Sequence, residues 1–319
     1  MDSENMNLAV VQRETDLAAQ EEIKEYRRGS VAANTLKAYG RAYDRFQEWL
    51  AGREMTDDLL SLYLIEQDRR GLAPATIAMT LKAVRWTFAK MGYQAVPFPK
   101  ASDVLKRINR DRGERGRGQV DALNWDQVEA VCGKAEDSNT IAGLRDSGMI
   151  RLMSDCLLRI SELVAVNAED IKENALEVRA SKTDQTGRGE ALYVGDDTLE
   201  VISEYRQAAG ITEGALFRRV RRGDHVTDER LTVVGARNAI KKRVSEASRA
   251  RNRAARSLSG IRVSGHSMRV GSAVSLAQAG ASVVDMQEAG RWKDPAMPAH
   301  YARAELAKRG AIARYKYRQ

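Results

Sequence analysis

The sequence predicts a mainly α-helical protein of two domains: a small all-helical one, then a larger, mostly helical one with a small β-hairpin. Three observations carry this. Apolar residues recur at spacings of three and four along most of the chain. Strand-like alternation is confined to one stretch, 174–195. The 319 residues are more than a typical single domain holds, and a glycine- and charge-rich run interrupts them at 109–123. Five prolines and few aromatics suit the same class.

Residues 1–20 show no sustained apolar pattern and are expected to form a flexible arm; their acidic, polar start, MDSENMNLAVVQRETD, is not expected to act as a signal peptide. The first helix is expected near Thr35 to Ala51, with Leu36, Tyr39, Tyr43, Phe46, Trp49 and Leu50 on its apolar face, Asn34 or Thr35 as cap and Gly52 after its end. A second runs from Asp57 to about Arg70. A third starts at Pro74, a residue suited to a first turn, and carries Ile77, Leu81, Val84 and Phe88 towards Gly92. A fourth, short helix lies near Ser102 to Arg110. Residues 21–110 thus form the all-helical domain. Its aromatics read as core. Its cations, among them Lys37, Arg41 and Arg85, read either as a solvated face or as the lining of a phosphate backbone.

Residues 111–123 read as a linker. In the second domain, 124–319, Asn124 caps a helix carrying Val128, Val131 and Cys132. One buried helix is expected from Ile141 to Val166. It holds Arg159 among apolar residues, with Glu162 three positions on. A buried cation is costly unless paired or aimed at an anion, so this is either a structural ion pair or a site. The hairpin 174–195 follows, with Lys182 where its first strand meets the turn. A helix is expected over 196–208. ALFRRVRRGDHVTDERLT reads as an apolar anchor, a run of arginines (Arg218, Arg219, Arg221) that are candidates for DNA contact, and a turn. A helix at 231–250 carries Lys241, Lys242 and Arg243 into a very basic tail. A last short helix runs from Glu305 to about Tyr317.

The stretch Ser264 to Arg303 holds the chemistry. His266 and Arg269 stand three apart, about one helical turn, with Trp292 next and Tyr301 nine residues later. Histidine moves protons near neutral pH, arginine is a fork that fits phosphate oxygens, and a tyrosine hydroxyl is a candidate nucleophile. Together they describe a site that holds a phosphodiester and attacks it. No carboxylate cluster stands at metal-ligand spacing and no phosphate-loop motif is present, so no cofactor or metal is expected.

The ordered series, from the Arg159/Glu162 pair through GHSMRVG and Trp292 to Tyr301, resembles the tyrosine site-specific recombinases of the phage integrase family. The resemblance is densest from about 150 to 303 and only general before 115. It implies that Tyr301 is the nucleophile, Arg159 and Arg269 clamp the phosphate, and His266 and Trp292 add hydrogen bonds. Lys182 would be the general acid, with Glu162 orienting its neighbours. It further implies a 3′-phosphotyrosine intermediate without metal or ATP, a four-way junction, and a homotetramer, monomeric when free, on inverted-repeat duplex DNA. The helical domain would clamp DNA, a helix within 231–250 would enter the major groove, and the terminal helix would exchange between protomers.

Composition agrees with a nucleic-acid partner: the net charge is +8 and the pI about 9.5. No apolar run approaches a membrane span of roughly 20 residues, and a cytoplasmic, nucleoid-associated location is expected. Cys132 and Cys156 sit in apolar surroundings and read as reduced core thiols. Two other readings stay open: a type IB topoisomerase-like enzyme, and a catalytically silent DNA-binding accessory protein.

Overall fold

The computed structural model describes residues 31–93, 97–112, 120–178, 189–250, 253–310 and 315–316, without the side chains of 253–255. The arm 1–20, most of the 111–123 linker, Lys182 and part of the terminal helix lie outside the described residues. The chain divides into two compact units, Met1–Gly118 and Gln119–Gln319.

In the first unit four helices, α1 (Ala33–Leu50), α2 (Asp57–Arg69), α3 (Pro74–Lys90) and α4 (Pro99–Arg112), enclose one core. Phe46, Leu50, Leu60, Leu64, Ile77, Leu81 and Val84 fill it. Phe46 and Trp49 each meet the Tyr63 ring at 5.1 and 5.2 Å, so the aromatics are core, while Trp49 Nε1 still donates to Glu66 at 2.7 Å. The N-cap of α1 is Ala32, which offers no side-chain cap, rather than Asn34 or Thr35. Caps do fix α2 and α4. Thr56 Oγ1 accepts from the Leu59 amide, and the Asp57 carboxylate accepts from the amides of Lys100 and Ala101 at 2.9 and 3.0 Å.

The second unit opens with α5 (Trp125–Glu136), held by an Asn124/Gln127 capping box. Helix α6 (Ile141–Asp155) follows and is buried nearly all round. The single helix expected over 141–166 is in fact two. The chain leaves the helix at Cys156, passes through Leu157 in the left-handed region (φ 47°), and resumes as α7 (Ile160–Ala165). Apolar periodicity does not register such a break, because Leu157 and Leu158 stay buried on both sides of it.

Strands β1 (Ile171–Lys172), β2 (Ala175–Val178) and β3 (Glu190–Tyr193) form an antiparallel sheet with Leu176 opposite Leu192. After α8 (Asp196–Ala209) comes a second hairpin, β4 (Arg218–Arg221) with β5 (His225–Arg230). In sequence the segment shows only an apolar anchor, a run of arginines and a turn. Charged residues on both faces hide the alternation. Asp224, left-handed at the hairpin tip, accepts from the amides of Ile141 and Ala142 and so pins the hairpin to the start of α6.

Helices α9 (Val233–Ser248), α10 (Arg253–Leu258), α11 (Ser267–Ala279), α12 (Val283–Gly290), α13 (Ala296–Tyr301) and α14 (Arg303–Lys308) complete the unit. Its core gathers Leu123, Val131, Met149, Leu152, Leu163, Tyr205, Phe217, Ile240 and Met268. Cys132 and Cys156 are free and buried. Burial pushes the Cys132 thiol up to about 12 and raises that of Cys156 as well, so neither is a ready nucleophile. Among the described residues no helix is long and apolar enough to cross a membrane.

Candidate active site

Helix α11 builds the centre of the site. Gly271 lets it approach the segment before α5 closely, since a Cβ there would stand 1.8 Å from the Leu123 carbonyl oxygen. His266 is its N-cap residue, and Arg269, in its first turn, points inward with 2% exposure. A lone buried guanidinium would be prohibitive. Here Nη1 donates to the Leu157 carbonyl and Nη2 to the Gly290 carbonyl. Both acceptors come from chain breaks: Leu157 from the interruption between α6 and α7, Gly290 from the end of α12. Each terminal nitrogen keeps a second N–H for another acceptor.

The Trp292 ring lies under the same guanidinium, 4.4 Å from its Cζ. Trp292 is buried with Leu157 and Ala273, and the half-buried Tyr301, the last residue of α13, packs against them. The two rings are 5.8 Å apart and tilted by 54°. Gly290 makes this possible, because a Cβ there would fall 2.0 Å from Trp292 Cζ3.

Arg159 stands in the loop before α7, as its N-cap, rather than on a helix face. Its Nη1 donates to Glu162 Oε1 at 2.7 Å, and its amide donates to Glu162 Oε2 at 3.0 Å. The buried Glu162 also accepts from Arg291 Nη2 at 2.8 Å. Burial pushes the Glu162 carboxyl up. The Arg159 amide, the Arg291 charge and the Arg159 guanidinium outweigh this and hold it below the usual carboxylate range. Arg291 was not picked out from sequence. It caps α12 in a left-handed conformation (φ 53°), which costs a non-glycine residue about 1 kcal/mol or more. The one signal was a cation between Gly290 and Trp292.

Positive charge dominates the site. Burial, then the like charges of Arg159 and Arg291, push Arg269 down to about 10; it stays charged at neutral pH and gains from an added anion. Desolvation, then the charges of Arg269 and Arg159, lower His266 below its ordinary value despite its solvent-facing edge. It is therefore neutral near pH 7 and able to accept a proton. Arg159, Glu162, His266, Arg269, Trp292 and Tyr301 thus come together within one unit, and Lys182 lies outside the described residues. The described residues hold no His, Cys, Asp and Glu group suited to a metal ion.

The cations expected on DNA divide. Lys37 and Arg41 are exposed on α1, and Lys241 and Lys242 on α9. Arg219 and Arg221 are exposed on β4, both beside Glu229. Arg85 is exposed but donates to Pro97 O and Ser102 Oγ at 2.7 and 2.6 Å, tying α3 to the start of α4. Arg218 is drawn inward to 17% side-chain exposure by Asp228 and the carbonyls of Glu213 and Ala215. Arg243 is a correction. It is 4% exposed, locked to Asp146 at 2.8 Å and Glu246 at 3.0 Å, and holds α9 against α6 instead of facing a ligand.

A model of the phage integrase family matches residues 122–308. Tyrosine recombinase XerC of Roseiflexus sp. (strain RS-1) is 32% identical over 184 residues, 55% of this chain and 56% of that protein. Recombinase cre of Escherichia phage P1 is 27% identical over 274 residues, 79% of this chain and 77% of that one. The chain therefore spans little more than half of the first relative and about three quarters of the second. In fold it is similar to the XerH site-specific recombinase bound to palindromic difH substrate, with TM-score 0.64 at 15% identity over 88% of this chain and 79% of that one. It is also similar to the Tn1549 transposon integrase in complex with circular intermediate DNA, with TM-score 0.62 at 17% identity over 91% and 98%.

Proposed function

The chain belongs to the phage integrase family, and we propose that it cuts and rejoins duplex DNA at a specific site through a tyrosine-linked intermediate. The observation that carries the reading is the packed set of Arg269, Trp292 and Tyr301, with the Arg159/Glu162 pair adding a second guanidinium. A phosphodiester brought there meets fixed positive charge without further reorganisation.

Arg159 and Arg269 hold the non-bridging oxygens and stabilise the charge that builds up as phosphorus becomes five-coordinate. His266, held neutral, takes the phenolic proton of Tyr301 as its oxygen attacks phosphorus. The 3′-phosphate becomes linked to Tyr301 and the 5′-oxygen departs with a proton, which the family pattern assigns to Lys182. The indole N–H of Trp292 adds a hydrogen bond to the phosphate. The tyrosyl link keeps the bond energy, so an incoming 5′-hydroxyl reverses the step without ATP. Glu162 holds Arg159 in place.

The relatives named above include recombinases and integrases, and two of the similar structures hold DNA. By extension this chain acts on inverted-repeat sites as a homotetramer, through a four-way junction, with the segment from Glu305 onward passing between protomers. Exposed Lys37, Arg41, Lys241 and Lys242 supply phosphate contacts. The test is a covalent trap. Wild type and Tyr301→Phe are incubated with sheared DNA from the source organism, without metal or ATP. The mixture is denatured and protein-linked DNA is sequenced. Wild-type adducts piled at one inverted repeat, absent from Tyr301→Phe, are expected. Adducts spread over all sequences would favour a topoisomerase-like enzyme. DNA binding without adducts would indicate a silent accessory protein.

A further inference from the structure

Arg291 is a buried charge beside the site that this mechanism leaves unused. Its side chain is 4% exposed, yet only Nη2 is hydrogen-bonded, to Glu162 Oε2 at 2.8 Å. Nε and Nη1 are buried without a hydrogen-bond partner among the described residues. The nearest further carboxylate, Glu190 on β3, is 3.6 Å from Nε, beyond hydrogen-bond distance. The backbone is left-handed, where a glycine fits without cost and an arginine does not. A buried guanidinium with two nitrogens lacking hydrogen bonds, on a disfavoured backbone, persists only where the surroundings over-determine it, and such residues concentrate at functional sites.

Glu162 shows what Arg291 holds. One carboxylate oxygen carries Arg159 Nη1. The other is shared by the Arg159 amide and Arg291 Nη2. Without Arg291 the second oxygen loses its only charged partner, and the carboxylate gains freedom to turn, taking the Arg159 guanidinium with it. Arg291 precedes Trp292 directly and follows the carbonyl that Arg269 grips, so it also ties the Arg159 loop to the Trp292 end of the site. Nε and Nη1 are shut off from solvent and Nη2 is held by Glu162, which argues against direct contact with a phosphate in this conformation.

We propose that Arg291 is a positioning residue for strand cleavage: through Glu162 it fixes the Arg159 guanidinium, and it joins the Arg159 loop to the segment carrying Trp292. This rests on the cleavage reading above. The test is a double-mutant cycle of wild type, Arg291→Gly, Glu162→Gln and the double variant. Covalent adduct formation is followed in single-turnover time courses on sheared source DNA, beside DNA affinity and thermal melting. Glycine suits the left-handed backbone, so Arg291→Gly is expected to fold and bind DNA like wild type. Its adducts form roughly 10- to 100-fold more slowly, the scale of loss that a misplacement of about 1 Å can cause. In the Glu162→Gln background the same substitution changes little. Arg291→Lys, which keeps the charge but not the fork, falls in between, and it carries the cycle if Arg291→Gly does not fold. Wild-type cleavage rates in Arg291→Gly, or an equal loss with and without Glu162→Gln, would overturn the proposal while leaving the cleavage reading intact. A wild-type protein that forms no adduct overturns the cleavage reading, and the assignment falls with it.

Discussion

Gly290→Ala tests whether the site depends on how closely the chain approaches the Trp292 ring. The added methyl would stand 2.0 Å from Cζ3, 2.2 Å from Cε3 and 2.4 Å from Cη2, where ordinary contact begins at 3.4 Å. The ring must therefore retreat by about 1.4 Å, from 2.0 to 3.4 Å. It has little room, because Arg269 lies on it at 4.4 Å and Leu157, Ala273 and Tyr301 pack around it. Forcing an extra carbon into such a contact costs about 1–3 kcal/mol. In a unit of this size each kcal/mol lowers the melting temperature by about 2–4 °C. The catalytic loss should be larger than the stability loss, since misplacement by about 1 Å can cost about 100-fold in rate. Gly133→Ala is the control. Nothing lies within 4 Å of its new methyl, and alanine inside α5 should be stabilising by about 0.5–1 kcal/mol. The assays are thermal melting and single-turnover adduct formation. If Gly290→Ala melts and cleaves like Gly133→Ala, the Trp292 ring does not organise the site and the reasoning fails.

Arg243→Ala should destabilise the fold by about 1–3 kcal/mol, because it leaves Asp146 Oδ2 without its partner in the core while Arg145 still holds Oδ1; urea unfolding measures it. Lys242→Ala, one residue away and exposed, should leave stability within about 0.5 kcal/mol and reduce the slope of log affinity against log salt by about 1. His266 should titrate below its ordinary value of 6.5, since desolvation and the charges of Arg269 and Arg159 outweigh Glu162. Between that lowered value and 6.5 the unfolded chain binds a proton the folded one does not. Stability therefore falls on acidification through that window and is restored above it. NMR titration of the ring checks this, and Arg159→Gln should move the midpoint upward.

Helix positions and the members of the site were legible because local chemistry writes them: apolar spacing, the Asn124 cap, Pro74 at a helix start, and an ordered series ending at Tyr301. The break at Leu157 was not legible. A helix and a left-handed interruption share the same apolar run, and the break matters because its freed carbonyl accepts from Arg269. The hairpin β4–β5 was hidden by arginines on both faces, and Arg291 by its likeness to any surface cation.

Lys241, Lys242 and Arg243 state the division most directly. Composition alone determined that α9 is basic and therefore suited to an anionic partner. Which of its cations face outward was decided by Asp146 on α6, far away in sequence, which draws Arg243 into the core. The site divides in the same way. The sequence by itself supplied the candidate groups of the site, because their identities are covalent facts. Only the tertiary structure decided what holds them. The Leu157 and Gly290 carbonyls and the Glu162 carboxylate become partners of buried guanidiniums only when distant segments pack together and exclude the water that would otherwise serve them.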